Sequence, residues 1–431
     1  MDYEQSLHYI HTRVHRNRYL GSEGLAHTRL LMQRLGDPQK RLRCLHIAGS
    51  SGKGSTAAMC ESVLRQAGFK TGLFVSPFVF DFRERIQLDG APVEQELLAS
   101  VLTEMRPVLD AMEAEGQPCT EFETLTALGF CIFARQRVDF AVIEVGIGGL
   151  MDCTNIIEPP LVAAICSISL EHTEILGHSI PEIAAQKCGI LKPGCRAAGY
   201  CDLQPQAQAV LEQTCLERDI PLYQYSPAEV TILREDVSGT LFSLAGEQYF
   251  VPLAGRHQVW NALTVLAATD ALRDSGIPLS RDVIRDGIAQ TTFPGRMQTV
   301  RQSPLCLLDG AHNPEKLSAL CAALEQLYPG RDLIAVLGMM RRKDYCTAIP
   351  MLARRCRAVV CVPAEPDSPQ ALSGEEVAAL AIPYCSSVYL RSNAREGARL
   401  ALSLASPEDV IVATGSIYLL ADAKSGFADE I

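Results

Sequence analysis

Apolar runs of strand length alternate along this chain with segments whose apolar positions recur at helical spacing. The runs at 44–48, 71–75, 140–145 and 161–168 predict buried strands with helices between them. Strands joined through helices pair in parallel, so this part predicts a doubly wound, mainly parallel α/β sheet. Between 220 and 254 the pattern changes: 222–225, 230–233 and 240–244 are short β-type pieces separated by turn residues, and they predict a small antiparallel annex. A helix is expected over 259–273, after which Phe293-Pro294-Gly295-Arg296 interrupts the chain. The alternation then restarts, with strands at 305–308, 333–337, 358–362 and 410–413 and helices near 315–327 and 394–404. Two units follow: 1–294, and a smaller α/β unit at 295–431.

Composition narrows the class. The 431 residues are 48 % hydrophobic and 21 % charged, the balance of a globular chain with large cores. A formal net charge of -11, with no lysine- or arginine-rich run, excludes a general nucleic-acid binder. The 16 cysteines are scattered without a C-x-x-C pair, and Cys131, Cys166, Cys306 and Cys361 lie in apolar runs, which predicts free thiols in a reducing compartment. The start, Met1-Asp2-Tyr3-Glu4, has no leader pattern. Apolar stretches such as 125–134 fall far short of the ~20 residues of a membrane span. A cytoplasmic protein without membrane or nucleic-acid partners is expected.

The candidate chemistry sits at strand ends, where open α/β sheets bind ligands. Residues 46–56 read His-Ile-Ala-Gly-Ser-Ser-Gly-Lys-Gly-Ser-Thr between a strand and a helix. Glycines at 49, 52 and 54 let the backbone N–H groups turn inward around a phosphate, and Lys53 can reach the outer phosphates of a nucleotide. The loop departs from the generic phosphate-loop spacing, since Gly54 stands where a hydroxyl is usual and Ser55 and Thr56 follow it. Ser76 follows the second run and reads as a cation ligand or a turn serine. Glu144, inside a buried-strand pattern, is either salt-bridged or bound to a metal. His172 follows the fourth run as a loop histidine or a metal ligand. Lys187, near a helix end ahead of Gly189, fits a lysine favoured by the helix dipole. With a phosphate loop, the set suggests an Mg-nucleotide site.

These motifs occur in order with Phe-Arg-Glu-Arg-Ile at 82–86, Glu121-Phe122-Glu123, Asp152-Cys153-Thr154-Asn155, His257-Gln258 with Asn261-Ala262, Pro294-Gly295-Arg296, Asp309-Gly310-Ala311-His312-Asn313-Pro314 and Thr414-Gly415-Ser416. Together, from about 35 to 418, they resemble folylpolyglutamate synthase and dihydrofolate synthase, members of the Mur ligase superfamily. The resemblance implies an N-terminal Mur-ligase-type P-loop domain and a Rossmann-like C-terminal glutamate-ligase domain. It implies ATP-dependent addition of L-glutamate to a folate through an acyl phosphate, extending tetrahydrofolate, with dihydropteroate as a second acceptor. It assigns ATP binding to Gly49, Ser50, Ser51, Gly52, Lys53, Gly54, Ser55, Thr56, Asn261, Arg296 and Asp309. Ser76 and Glu144 would hold a first Mg²⁺, and His172 with a carbamylated Lys187 a second, with K⁺ as an accessory ion. Thr120, Phe122, Glu123, Met151, Asp152 and Cys153 match pterin-binding elements, and His312 and Ser416 lie near the incoming glutamate. Catalytic roles fall to Lys53, Lys187, His172 and His312, in a monomer whose partners are small molecules.

Four departures stand out. The family usually has Thr-Asn at Ser50-Ser51, arginine at Leu150, aspartate at Glu171 and an acidic loop where 339–343 read Met-Met-Arg-Arg-Lys. Leu150 bears on acceptor identity rather than on ligase chemistry. It leaves open a Mur-like ligase with a non-folate acceptor, and a catalytically silent nucleotide-binding regulator is a further alternative. Retention of Lys53, Glu144, His172 and Lys187 together argues against the silent one.

Overall fold

The alternation resolves into two parallel sheets and an annex, in a computed structural model that describes residues 1–13 and 22–429. The larger sheet contains β1 (Cys44–Ala48), β2 (Thr71–Phe74), β3 (Ile86–Leu88), β4 (Ala91–Pro92), β5 (Phe140–Glu144), β6 (Val162–Ile165), β7 (Arg196–Gly199) and β8 (Leu222–Tyr223). Their order is β4-β3-β2-β5-β1-β6-β7-β8. Strands β2 to β8 across the sheet are parallel, while β3 and β4 return antiparallel at one edge. Every residue of β1 and β5 is buried, because helices cover both faces.

The annex is β9 (Val230–Asp236), β10 (Gly239–Leu244) and β11 (Glu247–Val251), ordered β11-β10-β9 and antiparallel. The segment at 222–225 does not belong to it. Only Leu222–Tyr223 is strand, and it extends the large sheet by pairing in parallel with β7. Two residues are too few to show an alternation, so its partner is decided by the open edge of β7 and not by local pattern. Phe242, Leu244, Tyr249 and Val251 of the annex share a core with the helices Lys53–Gln66 and His257–Asp274.

The second sheet holds β12 (Gln298–Gln302), β13 (Leu305–Leu308), β14 (Leu333–Leu337), β15 (Ala358–Cys361), β16 (Val388–Leu390) and β17 (Val410–Thr414). Its order is β12-β13-β17-β14-β15-β16, with only β12 antiparallel. Two cores flank it, one on each face.

One packing detail fixes the helix that follows β1. The helix Arg281–Ala289 crosses it at Gly287, where a Cβ would stand 2.5 Å from Val63 Cα, and Ser62 Oγ donates to the Gly287 carbonyl at 2.6 Å. No helix among the described residues is long and apolar enough to cross a membrane. All sixteen cysteines are free thiols, and only Cys346 is exposed.

Candidate active site

Strand β1 ends at Ala48 and the helix begins at Lys53, so four residues make the turn. Gly52 has φ of 84°, and a Cβ there would meet Asn261 Oδ1 at 2.2 Å, which excludes any side chain. Ser50 is stapled to the chain beyond β6: its Oγ donates to the Ser169 carbonyl at 3.1 Å and accepts from Ser169 N at 3.0 Å. Lys53 Nζ donates to the Gly49 carbonyl at 3.0 Å, which folds the lysine back over its own loop. Gly49 and the buried Thr56 support this turn from behind. Ser50, Ser51, Gly52, Lys53, Gly54 and Ser55 face a cavity of about 660 Å³.

The cavity lies between the two sheets. From the first unit it is lined by Ser76, Glu144, His172 and Asn261, and from the second by Arg296, Asp309, His312 and Ser416. Residues far apart in sequence therefore meet at one space, as do Lys53 on the helix after β1 and Lys316 and Ser416 beyond β13 and β17. Lys187 stands behind this wall, reaching it through Glu171, which does line the cavity.

Burial dominates the electrostatics. It pushes the Glu144 carboxyl up, and Lys53 and the N–H of Ser76, which donates to Glu144 Oε2 at 3.0 Å, pull it only part of the way back. Burial would also raise Glu171, but Lys187 and then Lys53 outweigh it and hold that carboxyl well below the usual glutamate range. Lys187, 2.7 Å from Glu171 Oε1, is drawn down by burial more than Glu171 restores it. Burial, with the charge of Lys343, lowers His172 to about 4, so its imidazole is neutral at neutral pH. Asp309 is raised by burial against Arg296 and accepts from Met297 N at 2.9 Å and Ala311 N at 2.8 Å.

His312 Nδ1 lies 2.8 Å from the Gly310 carbonyl. A carbonyl only accepts, so Nδ1 carries the proton and Nε2 presents a lone pair. Burial and Lys316 hold its pKa well below the ordinary value. Lys316 Nζ is 3.3 Å from that Nε2 and lines the cavity, and burial, followed by Lys53, brings its ammonium down to about 7. Lys316 was not legible as a site residue: in the first turn of a helix it has the pattern of a solvated lysine.

The pterin-matched residues divide. Phe122 lines the cavity; Thr120, Glu123, Met151, Asp152 and Cys153 do not. Thr120 and Glu123 cap the helix Glu121–Gln136 reciprocally, and Glu123 Oε1 also lies 2.8 Å from His27 Nδ1. Asp152 is fully buried and accepts from Ile147 N and Thr154 N. Cys153 is buried and Met151 packs on the core beneath the same helix. Leu150 is 41 % exposed and outside the cavity wall, so the guanidinium that the family places there would begin from the surface.

Comparison with known proteins places this geometry. The Mur ligase middle domain matches residues 47–269, and the Mur ligase glutamate ligase domain matches 295–417. Dihydrofolate synthase/folylpolyglutamate synthase of Bacillus subtilis is 35 % identical over 367 residues, covering 83 % of this chain and 84 % of the relative. Folylpolyglutamate synthase of Lacticaseibacillus casei is 34 % identical over 436 residues, 97 % of each. Among solved structures, Mycobacterium tuberculosis folylpolyglutamate synthase complexed with ADP and AMPPCP superposes with a TM-score of 0.87 at 31 % identity over 100 % of both chains. E. coli FolC in complex with DHPP and ADP gives 0.84 at 28 %, covering 98 % and 96 %. With a phosphate loop facing a glutamate-ligase domain across one cavity, and relatives of this identity along nearly its whole length, the chain belongs to the folylpolyglutamate synthase/dihydrofolate synthase family of ATP-dependent Mur-type ligases.

Proposed function

We propose that this ligase adds L-glutamate to a folate by phosphorylating the folate carboxylate and then letting the glutamate amine displace the phosphate. The observation that carries this is the single cavity in which the Lys53 loop faces Asp309, His312 and Ser416 from the other unit. We take the units as 1–294 and 295–431, so that the two halves of the reaction come from different domains and turnover needs them together.

In this scheme the loop N–H groups and the N-terminus of the helix Lys53–Gln66 hold the polyphosphate of ATP. Lys53 leaves the Gly49 carbonyl for the outer phosphates, and Asn261, Arg296 and Asp309 hold the rest of the nucleotide. No enzyme nucleophile is needed; alignment and charge neutralisation supply the rate. The folate carboxylate attacks the terminal phosphorus and ADP leaves. The incoming glutamate, held near His312 and Ser416, arrives as an ammonium and must shed a proton, which the lone pair of His312 Nε2 is placed to accept.

Glu144 fits a divalent cation. It is a buried carboxylate with one N–H partner and no ion pair among the described residues, and with Ser76 it offers the oxygen ligands that Mg²⁺ favours. That ion would supply further charge neutralisation for the phosphates. The second set does not fit as it stands. Among the described residues no three His, Cys, Asp or Glu side chains converge as a metal site, and beside His172 Lys187 presents a positive charge paired to Glu171. A second cation fits only once Lys187 is carbamylated. We keep K⁺ as an accessory ion, cytoplasmic location and a monomeric state as parts of the same proposal, with no nucleic-acid partner in view of the net charge of -11.

The name of the Bacillus subtilis relative carries both activities, which supports dihydropteroate as a second acceptor. The test is ADP release measured with glutamate and each acceptor in turn. Release that needs both glutamate and tetrahydrofolate supports the assignment, and release with neither folate nor pteroate points to a different carboxylate.

A further inference from the structure

Lys316 is a cavity-facing lysine for which the scheme above has no task. It projects from the helix Pro314–Leu327 of the second unit, and no carboxylate among the described residues lies within ion-pairing distance of its amine. An ammonium is strongly hydrated, and enclosing one without a counter-charge is costly. Lys53, Arg296 and Lys343 oppose its charge, and the carboxylates that favour it, Glu171, Glu144 and Asp309, all act from beyond ion-pairing distance. Glu171 is in turn committed to Lys187 at 2.7 Å. None of these carboxylates touches the Lys316 amine, which leaves it able to bind an anionic ligand that enters the cavity.

Position narrows the ligand further. Lys53 belongs to the phosphate loop of the first unit and Lys316 to the second, and both line the same cavity. We propose that Lys316 is a catalytic residue that contacts the transferred phosphoryl group from the side opposite Lys53. This rests on the assignment of the Lys53 loop to the ATP polyphosphate. In the step concerned, a folate carboxylate oxygen forms a bond to the terminal phosphorus. The bond from that phosphorus to the bridging oxygen breaks, and its electron pair leaves with ADP. Lys316 donates a hydrogen bond to a non-bridging oxygen and gives up no proton. The two carboxylates of the incoming glutamate are the competing anions, and a lysine that held them would not distinguish AMPPCP from ADP. The lowered pKa of Lys316, from burial and then Lys53, fits an amine that regains its full charge when a polyanion arrives.

Calorimetric binding of ADP and of AMPPCP, in the presence of Mg²⁺ and tetrahydrofolate, tests the contact, because only AMPPCP carries the terminal phosphoryl group. Lys316→Gln is expected to weaken AMPPCP by ~10-fold or more, the size of one charge-assisted contact, and to leave ADP within about twofold. Lys316→Arg should recover most of the loss. The ratio of the two affinities within one variant does not depend on how much of the sample is folded. In a single turnover without glutamate, ADP formation by Lys316→Gln should fall by about 100-fold. An unchanged AMPPCP-to-ADP ratio would overturn the proposal. So would a tenfold rise in the KM for glutamate with ADP formation intact, which would assign Lys316 to the glutamate carboxylate. If Lys53→Ala leaves ADP binding unaltered, the underlying assignment of the phosphate loop fails instead.

Discussion

Lys187 Nζ lies 2.7 Å from Glu171 Oε1, with the lysine side chain 1 % exposed and the glutamate 13 %. Removing one partner of such a pair strands the other charge, whereas removing both does not. Lys187→Met should therefore destabilise the fold by about 3 kcal/mol, and Glu171→Gln with Lys187→Met should recover most of it. Urea unfolding of both single variants and the double variant measures this; additive losses would mean that the two charges do not depend on each other.

The same pair bears on carbamylation. A carbamate on Lys187 would be an anion beside Glu171, so the ion pair and the modification exclude each other. Because burial draws the Lys187 ammonium down, its amine is more readily neutral than that of a surface lysine, and neutral amines react with CO₂. Lys187→Ala should be inactive but partly restored by acetate, and Lys187→Arg should stay inactive. Electron density with Mg²⁺ and bicarbonate showing an unmodified lysine still paired to Glu171 would remove the modification from the scheme.

Lys53→Ala should lower turnover by ~100-fold or more, the order seen when one preorganised charge-stabilising group is lost. Its amine bonds only the Gly49 carbonyl among the described residues, so the melting temperature should barely move. Retention of more than about a tenth of wild-type kcat would contradict the role given to this lysine.

His46, on β1, is fully buried, and burial, with the charge of Lys192, pushes it down from 6.5 to about 3. The unfolded chain takes up this proton near pH 6.5, and the folded chain refuses it until about 3. The stability it contributes is thus whole above 6.5 and is lost as pH falls from there toward 3. At pH 4.5 the loss from this one group is roughly 2 to 3 kcal/mol, at about 1.4 kcal/mol per pH unit. His46→Gln should flatten the acid limb of a stability-against-pH curve by that slope. An unchanged limb would mean that other groups control acid unfolding.

The runs at 44–48, 305–308 and 333–337 are strands at those bounds because each is a continuous apolar run covered on both faces, and burial of that kind is written locally. The partner of Leu222–Tyr223 was not legible, since the edge of β7 that captures it is set by long-range order. At the site, the phosphate loop, Glu144 and His172 could be read from their places at the ends of apolar runs, Asp309 and His312 only from the family resemblance, and the structure brings them to one cavity. Thr120, Glu123 and Asp152 could not be sorted in this way: a polar side chain that caps a helix looks the same in sequence as one aimed at a ligand. Lys316 needed both units in place before its enclosure could appear.

Oxygen-18 in the reacting carboxylate of tetrahydrofolate tests the central claim most directly. The labelled substrate is incubated with ATP, Mg²⁺ and L-glutamate, and the released inorganic phosphate is analysed by mass. Transfer through an acyl phosphate predicts one labelled oxygen in the phosphate for each glutamate amide formed, since the carboxylate oxygen that attacked phosphorus leaves with it. Amide formation with unlabelled phosphate, or labelled tetrahydrofolate recovered unchanged while ATP is consumed, would contradict it.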